Sequence, residues 1–133
     1  MKLIIGGYAQ GRLIYTLKKY HLTELDICDI ANSENYQEKK IIYHAEEFIT
    51  IWLNTGKNIS QEMQKLIPNL QNKIIITQEV GSGLIPITSE ERKWREEVGH
   101  FNQILAEYSE TVERICCGLG MYLKQESAHV DSN

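Results

Sequence analysis

The sequence predicts an α/β domain in which a mostly parallel sheet carries helices on both faces. Short apolar runs that suit buried strands alternate along the chain with segments whose apolar residues recur at helical spacing. The first elements also follow a telling order, because an apolar run is followed by a glycine-containing loop and then by a helix. Ligands of such folds bind beyond the carboxyl ends of the strands, so we expect this loop to lie at a binding site.

The amino-terminal half is predicted to alternate strands and helices. Apolar residues at positions 3 to 5 and the alternating pattern of residues 25 to 31 indicate strands. Apolar stripes predict one helix over residues 12 to 20 and a longer helix over residues 34 to 52. A further short helix follows Asn58, whose side chain can cap it, and ends at Pro68.

The carboxyl-terminal half begins with KIIIT, residues 73 to 77, which is the clearest buried strand of the sequence. A glycine-containing loop follows, and then a long helix in which Thr88 and Glu91 form a capping box. VERICCGL closes the sheet as a last strand. Residues 125 to 133 are polar and are expected to form a flexible tail, which leaves a single domain over residues 1 to 124.

Composition excludes several classes of function. A chain of 133 residues with 42% hydrophobic residues suits one soluble domain. The net charge of −4 and the lack of a basic run argue against binding to nucleic acid, and no apolar run is long enough to cross a membrane. We therefore expect a cytoplasmic protein. The three cysteines form no CxxC pattern, so we expect buried thiols in a reducing compartment and no metal site.

The opening loop, GGYAQGRL, has the spacing of a phosphate-binding loop, GxxxxGK[ST]. Its glycines would let backbone N–H groups approach phosphates at the start of a helix. An arginine replaces the usual lysine, and a leucine that cannot ligate Mg²⁺ replaces the usual hydroxyl residue. An ordinary glycine turn remains the alternative interpretation. The candidate nucleotide-binding residues are Gly6, Gly7, Tyr8, Ala9, Gln10, Gly11, Arg12 and Leu13.

Three separated stretches carry a family resemblance. ITQEVGSGLIP, residues 76 to 86, and GHFNQILAE, residues 99 to 107, resemble VTNEVGxGIVP and GxxNQxLA of the bifunctional adenosylcobinamide kinase/adenosylcobinamide-phosphate guanylyltransferase family. The opening loop is similar to that family's GGARSGKS. VERICCGLGMYLK, residues 112 to 124, resembles its closing strand, VxLVVSGxPLxLK.

The resemblance implies a RecA-like P-loop fold, a homotrimer, and GTP or ATP and a corrinoid as binding partners, with Mg²⁺ left open. Family members phosphorylate adenosylcobinamide and then transfer GMP from GTP through a histidine. KIIYHAEEFITIWLNTG, residues 40 to 56, resembles the histidine segment RIxxHRxxRPxxWxTxE and makes His44 the guanylylated residue. A neutral imidazole is a competent nucleophile near neutral pH.

The histidine segment departs from the family pattern. Phe48 and Gly56 replace charged residues, while Glu46 and Glu47 place negative charge beside the expected nucleophile. Residues 57 to 72 are also too few for the further strand, ending in an acidic residue, that usual members carry. We therefore expect a shortened member that binds nucleotide but forms no stoichiometric GMP adduct.

Two functions remain open from the sequence. The first is an enzyme of cobalamin side-chain assembly, and the second is an inactive nucleotide-binding or regulatory subunit. Glu79, at the end of the KIIIT strand, could orient metal, water or substrate, or it could cap a loop amide. A sheet that has lost a strand exposes an apolar edge, so we expect a homo-oligomer, the trimer of the family.

Overall fold

A computed structural model describes residues 1–80 and 88–125. Over these two ranges the chain forms six strands and four α-helices. The strands are β1 (Lys2–Gly6), β2 (Ile27–Asp29), β3 (Ile41–Tyr43), β4 (Ile74–Gln78), β5 (Thr111–Cys116) and β6 (Leu119–Lys124). The helices are α1 (Arg12–Tyr20), α2 (Glu47–Asn54), α3 (Ile59–Leu66) and α4 (Ser89–Tyr108).

The six strands form one sheet in the order β2-β3-β4-β1-β5-β6. Every neighbouring pair is parallel except β5 and β6, which are antiparallel. β1 therefore lies between β4 and β5, and its last residue, Gly6, aligns with Gln78 on one side and Ile115 on the other. This arrangement confirms the predicted mostly parallel α/β sheet.

Helices cover both faces of the sheet, as the sequence predicts. Successive strand residues point to opposite faces, so Leu3 packs into one buried cluster with side chains of α2, α3 and α4. The adjacent Ile4 packs into a second cluster that includes Leu13 and Leu17 of α1. Both strand residues are almost fully buried, and each such side chain contributes about 1.5–3 kcal/mol of hydrophobic stabilisation.

The predicted caps of two helices are present. The Asn58 side chain accepts a hydrogen bond from the Gln61 backbone N–H at 3.0 Å and begins α3. The Thr88 hydroxyl accepts one from the Glu91 backbone N–H at 3.0 Å and begins α4. Each cap satisfies an amide that has no partner inside its helix, which explains why these two helices were predictable from local sequence.

The predicted helix over residues 34 to 52 is wrong in its first part. Residues 41–43 form β3, and the helix begins only at Glu47. As a strand between β2 and β4, this segment buries Ile41 and Ile42 completely on opposite faces of the sheet, which one side of a helix could not do. His44 then adopts a left-handed conformation, with φ of 54°, and turns the chain toward α2.

The end of the sheet also differs from the prediction. The expected closing strand ends at Cys116, and a turn at Cys117 and Gly118 leads into β6, an edge strand that the sequence analysis did not predict. Cys28 is buried as expected, but Cys116 and Cys117 are exposed because they lie at the tip of this hairpin. The expected glycine loop after Val80 and the expected tail fall largely on residues outside the described ranges.

Candidate functional site

The candidate site lies at the edge of the sheet where the parallel strands end. Gly6 ends β1, Asp29 ends β2 and Gln78 ends β4, and His44 follows the last residue of β3. Most of the residues singled out from sequence are therefore brought to the same edge by the parallel topology. This is the edge at which ligands bind in open α/β sheets.

The loop between β1 and α1 has the backbone form of an anion-binding cradle. Ala9 and Gly11 have positive φ values of 59° and 82°. Tyr8, which precedes Ala9, and Gln10, which lies between the two, do not. Alternation of this kind turns successive backbone N–H groups toward one side and forms a concavity for anions. The concavity lies at the amino-terminal end of α1, where the helix dipole also favours negative charge.

Among the glycines of the opening loop, Gly6 is the one whose lack of a side chain is sterically required. A Cβ atom at this position would lie 2.7 Å from the Ile115 carbonyl oxygen and 3.3 Å from the Arg12 side chain. Only glycine therefore lets β1, β5 and the Arg12 side chain come together at this point.

Arg12 is buried, and its side chain returns toward the sheet. Its Nη1 atom donates a hydrogen bond to the Thr77 carbonyl oxygen at 2.6 Å, near the end of β4. At least one of the five guanidinium donors thus serves the protein backbone. Leu13 packs with the α1-facing core, so its side chain belongs to the sheet packing.

Thr77 and Gln78 at the end of β4 connect the loop to α4. The Thr77 hydroxyl donates to the Asn102 side-chain oxygen at 2.8 Å, and the Asn102 side-chain nitrogen donates to the Gln78 carbonyl oxygen at 3.0 Å. Asn102 was not among the predicted site residues. The signal that could have found it is its place in GHFNQILAE, one of the stretches that carried the family resemblance.

Glu46 lies just before α2, and its carboxylate is buried beneath the same edge. It accepts a hydrogen bond from the Gln78 backbone N–H at 3.0 Å. Burial raises the pKa of the Glu46 carboxyl, and backbone hydrogen bonds together with the nearby His44 and Arg12 side chains oppose this rise. The negative charge that the sequence places beside His44 is therefore held inside the protein by partners of its own.

His44 is oriented by Asp29, which the sequence analysis did not select as a site residue. The His44 Nδ1 atom lies 2.8 Å from Asp29 Oδ1, and about a third of each side chain is exposed. Because an ionised carboxylate only accepts hydrogen bonds, Nδ1 must carry the proton and a neutral ring keeps a free electron pair on Nε2. Asp29 is itself fixed by the Ala31 backbone N–H, which donates to Oδ1 at 3.0 Å.

Glu79 follows β4 and lies on the side of the sheet edge formed by the ends of β1 and β5. Its backbone N–H donates to the Gly6 carbonyl oxygen at 2.8 Å, and its carboxylate pairs with Arg114 Nε of β5 at 2.9 Å. Both side chains of the pair are substantially exposed, so the pair contributes little to stability. The carboxylate remains accessible beside the cradle.

A separate groove of about 740 Å³ runs along the outer face of α4, between Val80 and His100. Its lining is dominated by the charged side chains of that helix and includes none of the groups described above. The chemistry therefore converges at the sheet edge rather than in this groove.

In residues 1–80 and 88–125, no group of three or more His, Cys, Asp or Glu side chains is placed to hold a metal ion. None of the helices in this part of the chain is both long and apolar enough to cross a membrane.

Comparison with protein families identifies the relationship. The family model for cobinamide kinase/cobinamide phosphate guanyltransferase matches residues 19–123. The chain belongs to this family. The match includes β2 to β5 and all of β6 but its last residue. It also includes Asp29, His44, Glu46 and Asn102, whereas the cradle precedes the matched residues. No individual curated protein matches the chain.

Family membership confirms the resemblance inferred from sequence and agrees with the observed sheet. Members act on cobinamide and cobinamide phosphate as kinases and guanyltransferases, so the chain is related to nucleotide-using enzymes of cobalamin biosynthesis. The six-stranded, mostly parallel sheet with helices on both faces is consistent with the P-loop class of α/β folds.

The buried Glu46 gives a test of the site's electrostatics. A carboxyl group whose pKa is raised by folding stabilises the protein below its unfolded pKa of about 4.3, and this contribution is lost as the pH rises through the folded value. We predict that Glu46→Gln is more stable, relative to the wild type, at pH 7 than at pH 4. Denaturant unfolding at both pH values measures the difference.

Glu47→Gln provides the control, because it removes a carboxylate from the same turn that is only partly buried. Its effect on the free energy of unfolding should depend less on pH. If the stability of Glu46→Gln relative to the wild type decreases as the pH rises from 4 to 7, the raised pKa of Glu46 is contradicted.

Proposed function

We propose that the chain serves cobalamin side-chain assembly as a nucleotide-binding family member that takes up the phosphates of GTP or ATP at residues 6 to 13. The observation that carries the proposal is the alternating φ of the cradle at the start of α1. Backbone N–H groups supply this binding, so it survives the loss of the usual lysine and hydroxyl side chains. Adenosylcobinamide or its phosphate is the proposed second substrate.

We propose that metal-dependent phosphoryl transfer is impaired. Leu13 occupies the position of a Mg²⁺-ligating hydroxyl and packs toward the sheet. Arg12 occupies the position of the phosphate-binding lysine and uses Nη1 on the Thr77 carbonyl. Phosphoryl transfer relies almost wholly on positioning and on electrostatic stabilisation of the transferring group, and both changes weaken these effects.

The surface around the cradle offers contacts for a large corrinoid. Tyr8 in the loop is 82% exposed and Ile14 on the first turns of α1 is 64% exposed. An exposed aromatic ring and an exposed aliphatic side chain suit a flat, largely apolar macrocycle better than they suit solvent. Glu79 lies at the same edge of the sheet and is proposed to orient the polar substituents of this substrate.

We also propose that the chain forms a homo-oligomer, the trimer expected from the family. Each residue of β6 is exposed, and large apolar side chains lie on this unpaired edge strand, among them Leu119, Met121 and Leu123. A second copy is the proposed occupant, because an edge strand of this kind otherwise invites unspecific pairing.

His44 makes guanylyl transfer a second candidate activity. Asp29 holds the ring so that Nε2 carries the free electron pair. In the proposed step Nε2 attacks the α-phosphorus of GTP, a P–N bond forms, the bond to the bridging oxygen breaks, and pyrophosphate leaves with the electron pair. β3 and β1 are separated by β4, so the strand ends from which His44 and the cradle extend are about 10 Å apart, comparable to the span of a triphosphate.

Nucleotide binding tests the first part of the proposal. We expect calorimetry to detect GTP or ATP binding of modest affinity that changes less than about threefold when Mg²⁺ is removed, because Leu13 supplies no ligand to the metal. Arg12→Ala should weaken binding, and Arg12→Lys should recover part of it because the charge returns. Melting curves control for folding, since Arg12 is buried. Tight binding that collapses on chelation would contradict the metal assignment.

Intact-mass measurement after incubation with GTP and Mg²⁺ tests the role of His44. We expect no stoichiometric GMP adduct, since Phe48 and Gly56 stand where the family pattern has charged residues. An acid-labile trace adduct that disappears in His44→Ala and falls in Asp29→Asn would support slow guanylyl transfer. A complete lack of adduct alongside intact nucleotide binding would favour the binding or regulatory subunit, and a robust adduct confined to His44 would show that catalysis is not impaired.

A further inference from the structure

The turn between β5 and β6 holds a cysteine in an uncommon backbone conformation. Cys117 and Gly118 are its two central residues, with φ values of 52° and 74°. Two positive φ values identify a type I′ hairpin turn, in which asparagine or glycine is strongly preferred at the first position. A cysteine in the left-handed region costs about 1 kcal/mol relative to those residues, and such local strain recurs at functional positions.

This turn supports the phosphate cradle directly. The Cys117 backbone N–H donates to the Gln10 side-chain oxygen at 2.7 Å, and the Gly118 backbone N–H donates to the Gln10 carbonyl oxygen at 3.0 Å. Gln10 lies between Ala9 and Gly11, the two positive-φ residues of the cradle. The conformation of the turn is therefore coupled to the conformation of the cradle through a single residue.

The two thiols at this turn are accessible, in contrast to the third. Cys116 and Cys117 are adjacent and both exposed. Cys28 is 5% exposed, and burial raises the pKa of its thiol, which disfavours the reactive thiolate. Reactivity toward thiol reagents is thus confined to the pair that touches the cradle.

We propose that Cys116 and Cys117 are a dithiol modification site whose oxidation to a vicinal disulfide weakens anion binding at the cradle. A thiolate of one cysteine attacks a small disulfide, forms a mixed disulfide and releases one small thiolate. The thiolate of the other cysteine then attacks the protein sulfur of the mixed disulfide and releases the second small thiolate. The cysteine pair loses two electrons and two protons, and the small disulfide is reduced to two thiols.

Formation of this disulfide must deform the turn. A trans peptide fixes adjacent Cα atoms about 3.8 Å apart, below the about 4.4–6.8 Å that disulfides usually span, so the ring closes only if the peptide between the two cysteines and the backbone angles beside it distort. The turn that presents the Cys117 and Gly118 amides to Gln10 cannot keep its geometry while the ring closes. Gln10 then loses both hydrogen bonds, and the cradle loses its support. The consequence for nucleotide affinity rests on the proposed nucleotide binding at residues 6 to 13.

The test compares reduced protein with protein equilibrated with glutathione disulfide at pH 8. Intact mass should show the loss of two hydrogen atoms and no retained glutathione in the wild type. Amide hydrogen exchange should then show Cys117 and Gly118 less protected, by about tenfold, and GTP affinity should fall by about fivefold or more, which is about 1 kcal/mol. The exchange measurement requires no nucleotide, so it tests the switch even if the cradle binds none.

Two variants serve as controls. Cys117→Asn suits the positive φ and removes one thiol, so it should keep the turn and form no internal disulfide. Cys116→Ser should also fail to close the ring. Each variant keeps one accessible thiol at the turn, so after the same treatment it should stop at a mixed disulfide with glutathione and keep the amide protection of the reduced wild type. In the wild type, a persistent mixed disulfide, a disulfide between two chains, or a vicinal disulfide that leaves exchange and affinity unchanged would each overturn the proposal.

Discussion

The site depends on one buried junction, in which the Arg12 guanidinium donates to the Thr77 carbonyl oxygen at the end of β4. Thr77 and the next residue of β4, Gln78, also bind Asn102 of α4, and the Gln78 backbone N–H donates to the Glu46 carboxylate that precedes α2. Three helices are therefore fixed to one strand end by polar contacts that are shielded from water. Such contacts are costly to break, because each unpaired buried group would lose its hydrogen bond without gaining one to solvent.

This junction explains how the cradle keeps its form despite its divergent sequence. Arg12 anchors the first turn of α1 from below, and the turn at Cys117 and Gly118 holds Gln10 from the side. Gly6 permits the close approach of β1, β5 and the Arg12 side chain. The backbone that would bind phosphate is thus supported on two sides, while the side chains that would act on a metal and on the transferring phosphate are replaced. This construction agrees with our proposal that the chain binds nucleotide but is impaired in phosphoryl transfer.

Local sequence was sufficient for elements with a strong pattern and insufficient where pairing between distant residues decided the structure. β1, β4, α3 and α4 were predictable because apolar runs, helical stripes and caps mark them. β3 was not predictable, because Ile41 belongs to an apolar stripe at helical spacing. Only pairing with β2 and β4, which are distant in sequence from each other, makes Ile41 and Ile42 part of a strand. β6 alternates Leu119, Met121 and Leu123 with Gly120, Tyr122 and Lys124, but the turn that separates it from β5 has Cys117 where a hairpin turn usually has asparagine or glycine, so no turn signal marked its start.

The candidate site residues also divide into those that local sequence marks and those that only contacts between distant residues reveal. Glycine spacing marked the cradle, and Arg12 and Leu13 were identified with it. Asp29 and Asn102 act through partners 15 and 25 residues away, His44 and Thr77, and no local pattern announces such contacts. The buried state of Glu46 was also invisible from sequence, where it counted only as negative charge beside His44. Because the Glu46 carboxylate accepts a hydrogen bond from the Gln78 amide, it is part of the packing at the end of β4.

In our proposal the backbone of residues 6 to 13 forms the anion site. A nitrogen–proton correlation spectrum of labelled protein, titrated with GTP in the absence of Mg²⁺, tests it most directly. The account predicts that the largest shifts are those of the backbone amides in this loop, with smaller shifts at Cys117 and Gly118, which contact it through Gln10. Shifts confined to the α4 groove near His100, or no shifts at millimolar GTP, would contradict it.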